Sequence, residues 1–260
     1  MKSDNINNYK RVALGLAHQA GKIMRKNFSL GSKKTWKKDN TPVTETDITV
    51  NKLVIKTLSK NFPEYGIIGE EESLKKNSQY QWVCDPLDGT VPFSHGYPMF
   101  TFVLALVKNG DPILGVIYDP ILDRLFYAEK RKGTFLNGKR IRVSDQKTLG
   151  KYSVVEVNAR NRYKNLQDII SERAHYTVNF ISASYAASLV ASGAFVANVY
   201  EYENPWDGAA AKIIVEEAGG KVTDITGKEQ RYDRDINGFI ASNGLVHKEL
   251  LKLCEIAREN

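Results

Sequence analysis

The sequence predicts a mixed α/β (α+β) fold built from two portions that meet in a crevice, and three observations predict it. Apolar residues at helical spacing open the chain, a β-rich run punctuated by turn dipeptides fills its middle, and short strand-like and helix-like segments alternate through its second half. The length of 260 residues, with 42% hydrophobic and 26% charged residues, is that of an ordinary globular chain able to bury a sizeable core without metal or disulfide support.

Val12, Leu16, Ala20, Ile23 and Met24 recur every three to four residues and predict an amphipathic helix over 6–27. Thr44 followed three residues later by Asp47 is a capping-box pattern; it opens a second helix over 46–60 with Val50, Leu53, Val54 and Leu58 as its buried stripe. The runs 65–68 and 81–84 are short, apolar and end abruptly near acidic residues, as buried strands opening onto a polar site would. Between 100 and 142, Asn109-Gly110, Asp119-Pro120 and Asn137-Gly138 separate apolar runs and predict an antiparallel meander. Beyond it, 153–157, 177–181, 196–202, 221–224 and 238–242 read as strands, and 163–172, 184–192, 207–218 and 246–258 as helices. The pattern changes near 145–152, dividing the chain into an N-terminal portion, 1–148, and a C-terminal portion, 149–260.

Several classes are excluded. The strongest apolar run, Phe102 to Val107, is closed by Lys108-Asn109-Gly110, far short of the ~18 residues a membrane span needs. The N-terminal stretch has no continuous apolar segment of the secretory kind, so a cytoplasmic location is expected. Cys84 and Cys254 have neither a disulfide framework nor a metal-binding spacing. A net charge of +7 raises the question of nucleic acid, but the basic runs, Lys33-Lys34 with Lys37-Lys38 and Lys130-Arg131-Lys132, lack interleaved aromatics and read as solvated faces.

The most informative stretch is WVCDPLDGT, residues 82–90. Asp85 and Asp88 follow an apolar strand and are expected in one turn, shaped by Pro86 and Gly89. Two carboxylates held that close repel unless a cation lies between them, and Mg²⁺, a hard oxygen-seeking ion, is the simplest candidate. The Leu87 carbonyl between them is available as a further ligand. If the chain turns helical after Thr90, the amides of Gly89 and Thr90 suit a phosphate. An ordinary Asp-Pro turn with Asp88 capping a helix explains the same residues, so other carboxylates must decide. Glu70 opens the triplet Glu70-Glu71-Glu72, Asp47 lies at the start of the second helix, and Asp207 follows Asn204-Pro205-Trp206. Taken singly, Asp47 and Asp207 are also explained as helix N-terminal acids and the triplet as a solvated face. The small Gly208-Ala-Ala-Ala run suits tight helix packing.

Taken together, Gly69-Glu70-Glu71, Asp85-Pro-Leu-Asp-Gly-Thr90 with Phe93 and His95, and Trp206-Asp207-Gly-Ala-Ala continuing to Glu217-Ala-Gly-Gly220 resemble the inositol monophosphatase family of metal-dependent phosphatases. An early Thr46-Asp47 and a late Ala-Ser-Asn243 extend the resemblance over nearly the whole chain. It implies a layered αβαβα sugar-phosphatase fold whose two mixed-sheet portions enclose a metal cleft. It implies that Glu70, Asp85, the Leu87 carbonyl and Thr90 surround one Mg²⁺, that Asp85, Asp88 and Asp207 surround a second, and that a third ion can sit near Glu70. Paired ions lower the pKa of a water, clamp phosphoryl oxygens and neutralise the departing alkoxide. By the same resemblance, Asp47 with Thr90 orients and deprotonates the attacking water, Glu70 assists, and the reaction is in-line hydrolysis of a phosphomonoester without a phosphoenzyme.

The expected substrate is inositol monophosphate or a similar small phosphorylated polyol or sugar. Fructose 1,6-bisphosphate, adenosine 3',5'-bisphosphate and histidinol phosphate are the alternatives within the superfamily. A noncatalytic anion- or RNA-binding protein is the alternative of another class. Substrate contacts are expected from Asp88, Gly89, Thr90, Asp207, Ala183 and the acid before the Trp-Asp motif, Glu201 with Glu203 as the alternative. The sequence departs from the family where a Gly-Thr-Ala-like stretch becomes Ile181-Ser-Ala-Ser-Tyr185, and where Pro92 replaces a common Asn. His95 is expected to be structural, Trp82, Phe93 and Trp206 to support the core, and Lys37 or Lys38 to be exposed unless one approaches the site. Lithium inhibition and homodimer formation are further family expectations; no interface is legible.

Overall fold

The computed structural model describes residues 6–29, 34–36, 42–159 and 162–259. The expected first helix is α1 (Ile6–Asn27), and the capping-box helix is α2 (Glu45–Asn61). Thr44 caps α2 as its spacing requires: its hydroxyl accepts from the Thr46 amide at 3.2 Å, and its amide donates to the Asp47 carboxylate at 2.8 Å. Ahead of α2 stand β1 (Lys34–Trp36) and β2 (Pro42–Thr44), an antiparallel pair absent from the sequence expectation. Strands of three residues carry too little periodicity to be recognised.

A seven-stranded sheet follows in chain order: β3 (Gly66–Gly69), β4 (Tyr80–Asp88), β5 (Thr101–Lys108), β6 (Asp111–Asp119), β7 (Arg124–Glu129), β8 (Gly133–Leu136) and β9 (Lys139–Ile141). Only β3 and β4 run parallel; from β4 onward the sheet is the expected antiparallel meander. Asn109-Gly110 and Asn137-Gly138 take positive φ at both residues, the backbone twist that a two-residue hairpin needs.

The second half builds a five-stranded sheet from β10 (Val154–Asn158), β11 (Tyr176–Val178), β12 (Ala197–Tyr200), β13 (Lys221–Thr223) and β14 (Phe239–Ser242), in the order β11-β10-β12-β14-β13. Its helices are α4 (Leu166–Ser171), α5 (Ala183–Ala191), α6 (Pro205–Glu217) and α7 (His247–Glu259). Packing gives five layers: α1 and α2, the larger sheet, α5 and α6, the smaller sheet, then α4 and α7. The αβαβα arrangement implied by the resemblance is the one observed. Expected strands 177–181 and 196–202 are too long at their ends, because those residues leave the sheet to reach the cleft.

The middle layer explains the small residues of α6. Ala209, Ala210, Ala211, Ile213, Ile214 and Val215 are all buried, since the helix has a sheet on each side. At Gly115 on β6 an added Cβ would lie 2.5 Å from Ile213 Cγ2, so backbone and helix approach too closely for any side chain there. Cys84 and Cys254 are both free and buried, and no described helix is long and apolar enough to cross a membrane.

The turn expected at Asp85–Asp88 is instead the end of β4. Asp85 pairs with Val103 and Asp88 with Thr101, so β4 carries one residue more than β5 across this step, a β-bulge. Residues three apart on a regular strand face opposite sides of the sheet; the extra residue turns both carboxylates to the same side. The bulge performs the role that the sequence assigned to a turn.

Candidate active site

Asp85, Asp88 and Asp207 each offer a carboxylate oxygen, and these oxygens lie within 4.8 Å of one another. The first two come from the bulge in β4, the third from the first turn of α6 in the next layer. They open into a cleft of about 250 Å³ that is also lined by Glu70, Leu87, Gly89, Thr90 and Ala183. Most of the residues singled out from sequence therefore converge on one place.

Each aspartate is held in place by hydrogen bonds from the protein. Asp88 Oδ2 accepts from the Ser182 hydroxyl at 2.8 Å, the Ser184 amide at 2.8 Å and the Tyr185 amide at 3.3 Å, fastening β4 to the start of α5. Asp207 Oδ2 accepts from the Tyr200 hydroxyl and from Asn204 Nδ2, the latter at 3.1 Å. Asp85 Oδ1 accepts from the Leu87 amide at 2.9 Å. Asp85 also shares a hydrogen bond with the Glu70 side chain, so the acidic groups crowd against one another.

The electrostatics show what kind of partner such a cluster needs. Burial, followed by the charges of Glu70, Asp207 and Asp88, pushes the Asp85 carboxyl well above the usual range. Asp207 rises to about 8 through burial and the nearby Asp88 charge. Asp88 rises to about 6 through burial, against the lowering effect of its bonds from Ser182 and Ser184. No Lys, Arg or His is among the described residues that line the cleft. An all-oxygen donor set, buried, crowded and uncompensated, fits a hard divalent cation.

Beside the cluster, Asp47 serves two structures at once. Its Oδ2 receives the Thr44 amide and hydroxyl in the cap of α2, while its Oδ1 accepts the Thr90 hydroxyl at 3.0 Å. Burial raises the Asp47 carboxyl despite these bonds. Thr90 starts the short helix α3 (Thr90–Ser94), and Gly89 before it has φ 95°. A Cβ at Gly89 would lie 2.6 Å from the Met99 carbonyl oxygen, so both conformation and space require glycine.

Other sequence expectations are placed differently. Glu201 is buried but does not line the cleft; its Oε2 accepts the Arg162 amide at 3.0 Å. Side chains alternate across β12, and the alternation sends Asn198 and Tyr200 to the middle layer and Glu201 to the opposite side. The acid expected there is replaced by Tyr200, a residue that no motif in the sequence marks. Glu203 is exposed and paired with Arg162 at 3.0 Å. Trp206 is half-buried and lines the cleft rather than serving only the core, whereas Trp82 and Phe93 are core residues. His95 is exposed, with Nδ1 2.8 Å from the Val91 carbonyl. Pro92 is buried in α3. Lys33, Lys37 and Lys38 lie outside the described residues. Ile181, the first residue of the departing 181–185 stretch, lines the cleft, as do Asn158, Tyr202 and Asn204, which had no signal in the motifs.

The inositol monophosphatase family profile matches residues 5–259. The chain belongs to that family. A Thermotoga maritima protein named fructose-1,6-bisphosphatase/inositol-1-monophosphatase is 40% identical over 225 residues, covering 85% of this chain and 84% of its own. A Chlorobaculum parvum histidinol-phosphatase is 32% identical, covering 93% of this chain and 94% of its own. Among solved structures, the Thermotoga maritima IMPase superposes with a TM-score of 0.89 at 33% identity, covering 97% of this chain and 98% of that one. This inositol monophosphatase family member is therefore a phosphatase, a hydrolase of phosphate monoesters. Within the family motifs, Glu217 is structural. Its carboxylate accepts the Arg131 and Gly133 amides at 2.6 and 2.8 Å, tying α6 to the hairpin between β7 and β8.

Proposed function

We propose that this chain is a Mg²⁺-dependent phosphomonoesterase acting on a small phosphorylated sugar or polyol. The observation that carries this reading is the convergence of three buried aspartates in a cleft that has no described basic residue to neutralise them. Glu70, Asp85, the Leu87 carbonyl, Asp88 and Asp207 are the oxygens that would hold two or three cations. Residues 1–148 would supply all of these except Asp207, which 149–260 brings across. When bound, the cations supply positive charge to the phosphoryl and leaving oxygens and make a water more acidic.

The chain's own groups do the rest. The Thr90 hydroxyl donates to Asp47, so its free lone pairs can accept a proton from water approaching phosphorus in line. Asp47 receives the proton passed on by Thr90, and the cap of α2 fixes the carboxylate in that orientation. The amides of Gly89 and Thr90 would hold phosphoryl oxygens. The products are the alcohol and inorganic phosphate.

Phosphate release from inositol 1-phosphate should stop in EDTA and return with excess Mg²⁺; an unchanged rate in EDTA would overturn the reading. Inhibition by Li⁺, cytoplasmic residence and a homodimer are part of the same proposal. The relatives named for bisphosphatase and histidinol-phosphatase activity keep those substrates in the test panel.

A further inference from the structure

Ile181 is the one β-branched residue at positive φ among the described residues, with φ 57°. The other non-glycine residues with positive φ are Asn109, Asp123, Arg131 and Asn137, none of them branched at Cβ. A branched side chain is strained in this region, and such strain persists only where the surroundings impose it. Here they do. The Ile181 amide donates to Asn179 Oδ1 at 2.9 Å, and the next residue, Ser182, is fastened to Asp88 at 2.8 Å. The side chain is 38% exposed and lines the cleft.

Besides the carboxylates and the Gly89–Val91 segment, the cleft is lined by Asn158, Ile181, Tyr202, Asn204 and Trp206, among others. The polar groups of these residues include the Asn158 and Asn204 amides and the Tyr202 hydroxyl, set among apolar and aromatic surface, and other nearby polar groups are already engaged. The Tyr200 hydroxyl already donates to Asp207, Asn204 Nδ2 donates to the same carboxylate at 3.1 Å, and Glu201 faces Arg162. A ring bearing hydroxyls on every edge would lose water there without recovering all of its hydrogen bonds, which costs binding. A flat or apolar surface would give up fewer hydrogen bonds and would contact Ile181 and the two aromatic side chains.

We propose that Ile181 is a specificity-determining residue that, with Tyr202 and Trp206, makes the site select phosphorylated sugars carrying an aromatic or apolar substituent over fully hydroxylated rings. This deepens the proposed function and rests on it. The test measures kcat/KM of the full chain with Mg²⁺ on adenosine 2'-monophosphate and on inositol 1-phosphate. The parent should favour the nucleotide by about tenfold or more, and Ile181→Gly should cut that preference by about tenfold, mainly through KM, as removal of an apolar wall does. Ile181→Asn, whose side chain tolerates the left-handed region, should shift preference the same way and restore hydrogen bonding to inositol. Neither variant should melt below the parent, because both relieve the backbone strain.

A parent that prefers inositol 1-phosphate, or variants whose ratio stays within about twofold of the parent, would overturn the proposal while leaving the phosphatase reading in place. Absence of Mg²⁺-dependent turnover on either ester would overturn both.

Discussion

The two ends of the cleft are built on opposite principles. At the acidic end, Asp85 and Asp88 come from one bulged strand, both line the crevice, and each is anchored by hydrogen bonds from the protein. At the other end the wall is gathered from β10, from residues 181–183 and from the segment between β12 and α6, and its chemistry is apolar and aromatic with two asparagines. The first end is marked by short acidic motifs that the sequence shows plainly, the longest of them in β4. The second is set by which way strands alternate and loops turn, so it can change while the first is kept.

Substitutions at the acidic end should have the largest effects. Asp88→Asn and Asp207→Asn should each lower kcat/KM by on the order of a thousandfold or more, since several kcal/mol of charge stabilisation are at stake. Circular dichroism should show the fold retained. Activity near the parent's in either variant would remove the basis of the contrast. Thr90→Ala should cost about a hundredfold in kcat, with Thr90→Ser recovering most of it, as befits a hydroxyl that passes a proton.

Tyr200→Phe tests the border between the two ends. It removes the donor to Asp207, and the loss of one hydrogen bond to a charged group should lower kcat/KM by about tenfold. The required Mg²⁺ concentration should change as well; an effect confined to substrate KM would place Tyr200 with the leaving-group wall.

The smallest effect expected is on stability against pH. The carboxyls of Asp88 and Asp207 are raised, to about 6 and about 8. Their protonated forms therefore stabilise the cation-free fold fully below the ordinary value of about 4, and that stability is lost as pH rises through the raised values. The Tm of cation-free protein should fall between pH 5 and pH 9, and Mg²⁺ should raise it most at pH 9. A Mg²⁺ increment that does not grow with pH would contradict the buried acidic cluster as the binding place.

Much of the fold and of the acidic end is legible in the sequence. Helical spacing locates α1, the Thr44–Asp47 pair locates α2, and the Asn-Gly dipeptides locate two hairpins, because each is a local signal with a local cause. The failures are equally physical. The bulge in β4 reads as a turn, since proline and glycine near two aspartates are compatible with either. Glu201 reads as a site residue because the parity of a four-residue strand is not fixed until its hydrogen-bonded register with β10 and β14 is known. Trp206 reads as core because a tryptophan at a helix start carries no sign of which face is open.

By itself, then, the sequence determined the kinds of element, the carboxylates that gather in the cleft and the family to which the chain belongs, all consequences of chemistry carried within a few neighbouring positions. Only the tertiary structure decided that one extra residue turns Asp85 and Asp88 to the same side, that Tyr200 and not Glu201 meets Asp207, and that Ile181 is held strained in the cleft wall. Those facts depend on register and on contacts between layers far apart in the chain, where no single segment holds the information.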